Sequence, residues 1–98
     1  MKGEFTVDLK GVASSRAFHA RLAKSMPFPA AYGRNADALH DVLTEFGPNL
    51  TIRFLNAGKV PQVIRRVCAD AMRETPGLTI RFSPEGWTAA RKFGIIST

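Results

Sequence analysis

The sequence predicts a small α/β domain in which a three-stranded parallel sheet is packed with three helices in the order β-α-α-β-α-β. Two observations carry this. Residues 5–9, 50–55 and 78–82 alternate apolar and polar side chains with the period of a half-buried strand, and the stretches between them repeat apolar residues at helical spacing. The strand runs also lie too far apart in sequence for hairpins, which favours parallel pairing.

Each element has its own signals. Phe5-Thr6-Val7-Asp8-Leu9 alternates, and Lys10-Gly11 then turns the chain. Ser14 or Ser15 can cap a first helix whose Phe18, Leu22 and Met26 recur every four residues. Pro27 and Pro29 end it, because proline lacks the amide donor and disfavours helix in the residue before it. Asn35 is a good cap for a second helix, with Leu39, Val42, Leu43 and Phe46 at i, i+3, i+4 and i+7. Gly47-Pro48-Asn49 stops it, and the next strand sets Leu50, Ile52 and Phe54 on one face. Asn56-Ala57-Gly58 breaks the chain again. Pro61 suits the first turn of a third helix with an apolar stripe of Val60, Val63, Ile64, Val67 and Ala71. Pro76-Gly77 closes that helix before the last strand. Beyond it, Ser83-Pro84-Glu85 can open a fourth helix ending near Phe93 and Gly94, or an irregular arm laying Trp87 and Phe93 on the core. Residues 1–83 are therefore expected to form the domain, with 84–98 a C-terminal extension packed on it.

Composition sets limits. Ninety-eight residues, 45% hydrophobic and 22% charged, suit one soluble globular domain with a single core. The lone Cys68 rules out an intramolecular disulfide or a Cys-rich zinc site and fits a reducing compartment. No segment approaches the ~20 apolar residues of a membrane span, so a cytoplasmic location is expected. The net charge of +6 and pI near 10.3 favour anionic surfaces and phosphate backbones at long range.

The charge is unevenly spread. Residues 27–49 carry one base (Arg34) against three acids (Asp37, Asp41, Glu45), while the other residues carry 13 bases and 5 acids. On a helix, Asp37, Asp41 and Thr44 share a stripe roughly 60° wide, opposite the apolar residues. Asp37 also lies two residues past the cap, where the helix dipole favours a carboxylate. Spacing alone leaves this face open between a solvated surface, a binding patch and an i, i+4 carboxylate pair, and no further His or acid cluster completes a metal set.

The run Tyr32-Gly33-Arg34-Asn35-Ala36-Asp37-Ala38-Leu39-His40-Asp41-Val42-Leu43 resembles the Y-G-x-N-x-D-A-L-x-D-x-L signature of the barstar family. A proline shortly before it and a strand after it extend the resemblance, strongly over residues 27–54 and more weakly to 82. The resemblance implies a barstar-like fold and a ribonuclease inhibitor. In that family the second helix and the loop before it enter the active-site cleft of a secreted microbial ribonuclease, and acidic side chains stand where RNA phosphate would bind. Carried over by position, it implies Asp41 as the central plug, Asp37 as a second contact and Asp70 on the following helix as a flanking acid. Gly33 and Asn35 would shape the loop, Tyr32 would pack its ring beneath it, and His40 and Thr44 would edge the patch. The family commonly has an aromatic where Ala31 stands and often Trp where His40 stands, so contact area is smaller here. It also pairs an acidic inhibitor with a basic enzyme. For this basic chain, the expected partner is a ribonuclease less basic than usual or one with acidic surface around its cleft.

Other residues are weighed beside these. Lys59, Arg65, Arg66 and Arg73 give the third helix a basic side, either a solvated face or an alternative nucleic-acid-binding surface. His19 is expected at the surface and Cys68 in the core, and His40 is an edge residue able to titrate at an interface. No phosphate-binding loop, nucleophile–base arrangement or metal cluster appears. The chain is expected to be a monomer without cofactor or enzymatic activity.

Overall fold

Side-chain caps and turn residues set the element boundaries in the structure, a computed structural model that describes residues 2–85. The elements are β1 (Gly3–Asp8), α1 (Ser15–Ser25), α2 (Ala36–Phe46), β2 (Leu50–Leu55), α3 (Gln62–Glu74) and β3 (Thr79–Phe82), the predicted order. Ser14 Oγ accepts the Ala17 N–H to start α1, and Met26 follows its last turn just before Pro27. Pro61 (φ −59°) caps α3 and does not enter it, so that helix begins one residue later than the sequence suggests.

The three strands pair parallel in the order β1-β2-β3. Their register lines up Phe5, Ile52 and Ile80 in one row and Val7, Phe54 and Phe82 in the next. Because side chains alternate across a strand, these rows face the same side and receive the helices, while Thr6, Arg53 and Arg81 stand exposed on the other. Phe54 of the central strand packs against Phe18 and stacks on Phe82, each with ring centroids 5.2 Å apart. Leu22, Leu39, Leu43, Ile64 and Cys68 close the core around it. Burial pushes the Cys68 thiol up to about 12, so it behaves as a small apolar side chain.

Two tight turns meet behind α2 and α3. Asn49 carries the left-handed conformation after α2 (φ 64°), and Gly77 carries it after α3 (φ 84°). A Cβ on Gly77 would lie 2.8 Å from the Asn49 amide nitrogen, so the turns approach only because residue 77 is glycine.

Two predictions are corrected. His19 was expected at the surface but is only 4% exposed, because its flank of α1 is covered by the loop bearing Tyr32. Val63 was placed in the apolar stripe of α3 but is 49% exposed; the buried stripe runs through Ile64, Cys68 and Ala71. The predicted C-terminal helix or arm lies mostly outside the described residues. Among those described, no helix is long and apolar enough to cross a membrane.

Candidate functional site: an acidic face across two helices

Asn35 begins the site. Its extended backbone precedes α2, and its Oδ1 accepts the Ala38 N–H at 2.8 Å, fixing the first turn that carries Asp37. The loop before it is anchored from below. Tyr32 is buried, its ring lies edge-on to Phe28 and His19, and its hydroxyl sits 2.5 Å from His19 Nδ1. Arg34, not Gly33, takes the left-handed conformation in this loop (φ 56°). Gly33 matters for closeness instead, since a Cβ there would lie 3.2 Å from Ala38 Cβ.

With Leu39, Val42 and Leu43 buried beneath α2, Asp37 and Asp41 are turned outward and both are exposed. Across the α2–α3 seam, His40 Nε2 meets Glu74 Oε2 at 2.8 Å. Asp70 lies one turn before Glu74 on α3 and is ion-paired with Arg73. The Glu74 hydrogen bond raises the His40 pKa, opposed by slight burial and reinforced by the charges of Glu74, Asp41 and Asp70. With His40 and Glu74 in contact across the seam, the acids of α2 and those of α3 lie on adjoining surfaces.

Of the predicted residues, the structure therefore sets Asp41 and Asp70 around His40, with Asp37 one turn before Asp41 on α2 and Tyr32, Gly33 and Asn35 in the loop that leads into that helix. Thr44 is less available, because its hydroxyl donates back to the His40 carbonyl at 3.0 Å. Glu74 was missed. Its signal was present, four residues after Asp70 and hence on the same side of α3, but only the packing of α3 against α2 brings it to His40.

The basic residues of α3 do not form one free surface. Arg65 donates to the Ala57 carbonyl at 2.6 Å and lies over the Phe82 ring, and Arg73 turns to Asp70. Lys59 and Arg66 remain exposed. Among the described residues no group of three or more His, Cys, Asp or Glu side chains is placed to hold a metal ion.

Chemically, the face is a set of fixed acceptors. Aspartates on capped, packed helices offer short side chains with little freedom to lose, and they make charge-assisted hydrogen bonds to cationic donors. No curated protein matches the chain. The family model described as Barstar (barnase inhibitor) matches residues 3–81, nearly the whole described region, and the chain belongs to that family.

Proposed function

We propose that this chain inhibits a barnase-type ribonuclease by seating α2 and the 32–35 loop in the enzyme's active-site cleft. Asp41 is the central contact, Asp37 the second, and Asp70 and Glu74 flank them from α3. The observation that carries this is the shared acidic face. In an otherwise basic chain, Asp37 and Asp41 stand exposed on the capped helix α2, and Asp70 and Glu74 lie on the adjoining α3, joined to it by the His40–Glu74 contact. A ribonuclease cleft must offer cationic donors to RNA phosphate, and rigid carboxylates satisfy the same donors. The family is one of inhibitors, which supports a role in blocking a reaction.

The test is titration of the purified protein against a panel of barnase-type ribonucleases, barnase among them. We expect 1:1 binding with loss of enzyme activity. The double change Asp37→Ala/Asp41→Ala should weaken binding by about 100-fold or more, since each truncation strands desolvated cations on the enzyme. Both positions are exposed, so the circular dichroism spectrum should not change. Equal inhibition by the double variant would remove α2 from the mechanism. No single observation favours the basic residues of α3 as a nucleic-acid site over this reading.

A further inference from the structure

A concavity of about 590 Å³ opens beside the acidic face, between the start of α1, the loop before α2 and the start of α3. Arg16 and Arg34 line it, and neither has a hydrogen-bond or ion-pair partner among the described residues. Val63, the one large hydrophobic side chain left exposed among those residues, forms part of its wall. His19 lines it from below. Among the described residues the Tyr32 hydroxyl has no partner other than His19, so the arrangement that strands no hydroxyl hydrogen has Tyr32 donating to Nδ1. The ring proton then sits on Nε2, a donor that no described residue engages.

The concavity also shares residues with the proposed interface. Arg34, Asn35 and Ala36 line it, and Asp37 follows directly on the same helix. A protein that covers Asp37 and the 32–35 loop therefore meets Arg16 and Arg34 as well. Two unpaired guanidiniums set against a cationic enzyme surface would repel it, whereas a carboxylate there would gain bidentate donors.

Resting on the inhibitor reading above, we propose that the Arg16–Arg34 concavity is a second docking site, receiving an acidic side chain carried on the rim of the partner ribonuclease's cleft. The inhibitor then recognises a bipolar surface: cationic cleft against Asp37 and Asp41, acidic rim against Arg16 and Arg34. Val63 covers the apolar stem of the incoming side chain. This pairing selects ribonucleases with such an acid and disfavours those that are cationic throughout.

The experiment compares the full chain, Arg16→Glu/Arg34→Glu and Asp37→Ala/Asp41→Ala for binding to the barnase-type ribonuclease that the unaltered chain inhibits best, at low and at high salt. Both arginines are exposed, and Arg34→Glu keeps a Cβ at the left-handed position, so circular dichroism should show an unchanged fold. We expect the arginine reversal to weaken binding by about tenfold or more, with the deficit shrinking as salt rises. Removing one acid on the enzyme's rim should then relieve part of the deficit in the reversed variant. Unchanged or tighter binding by the arginine variant, with the aspartate variant still defective, would overturn the second site and leave the inhibitor reading standing. No binding by the unaltered chain, or equal binding by the aspartate variant, would overturn both.

Discussion

A charged imidazole and a neutral one need opposite surroundings, and this chain supplies one of each. His40 lies among Glu74, Asp41 and Asp70, chiefly hydrogen-bonded to Glu74, and its pKa is raised above the ordinary 6.5; His19 is buried, and its pKa is lowered from the same value. The two therefore link stability to pH with opposite sign. The contribution of His40 is fully present below about 6.5 and is lost as pH rises through its raised value. That of His19 is present above about 6.5 and is lost as pH falls towards its lowered value. Melting curves of His40→Gln should differ most from the unaltered chain at acidic pH, and those of His19→Gln most at neutral pH. The same His40 proton offsets part of the acidic face. Ribonuclease binding by the unaltered chain should therefore gain on His40→Gln as pH rises from 5.5 to 8, read as the ratio of their dissociation constants. A constant ratio would remove His40 from the interface. Tyr32→Phe leaves His19 Nδ1 buried without a donor and should cost about 1–2 kcal/mol in denaturant unfolding.

At the scale of the element, α2 was almost fully legible, because everything that makes it is local. Asn35 caps it, Leu39, Val42 and Leu43 bury one side, and Asp37 and Asp41 are thereby forced outward. Asn35→Ala should cost about 1 kcal/mol of stability, and Asn35→Gly only a few tenths, because glycine still accepts the capping backbone geometry. Both should weaken ribonuclease binding less than loss of Asp37 and Asp41 does, which separates positioning from contact. What the sequence did not disclose depends on which elements are neighbours. His19 lies one residue along α1 from the stripe residue Phe18, and only the return of the Tyr32 loop covers it. Val63 fits the helical period of α3, yet it faces the open concavity beside α1 and the loop before α2. Glu74 joins the site only because α2 and α3 lie side by side, and helical periodicity within one segment carries no record of its partner. Arg34 had no local signal for its left-handed backbone, since the adjacent Gly33 was the natural candidate.

Charge becomes a property of the whole molecule only when screening is weak. The domain measures 38 × 27 × 22 Å, and the screening length is about 30 Å at 0.01 M salt and about 8 Å at 0.15 M. At low salt an approaching enzyme responds to the full charge of +6, at physiological salt mainly to the side chains nearest it. The acidic face and the basic body therefore govern different stages of encounter. For a ribonuclease of net positive charge, association should be slowest at 0.01 M and accelerate towards 0.15 M as mutual repulsion is screened. Dissociation should also quicken with salt, because the carboxylate contacts themselves weaken. Stopped-flow measurements at a series of ionic strengths separate the two rates. Asp37→Ala/Asp41→Ala should associate more slowly at every salt concentration, by a factor that is largest at 0.01 M and shrinks towards 0.15 M as the lost charges are screened. If association is instead fastest at 0.01 M, the acidic face governs the encounter even at long range, and the excess positive charge lies too far from the approach path to oppose it.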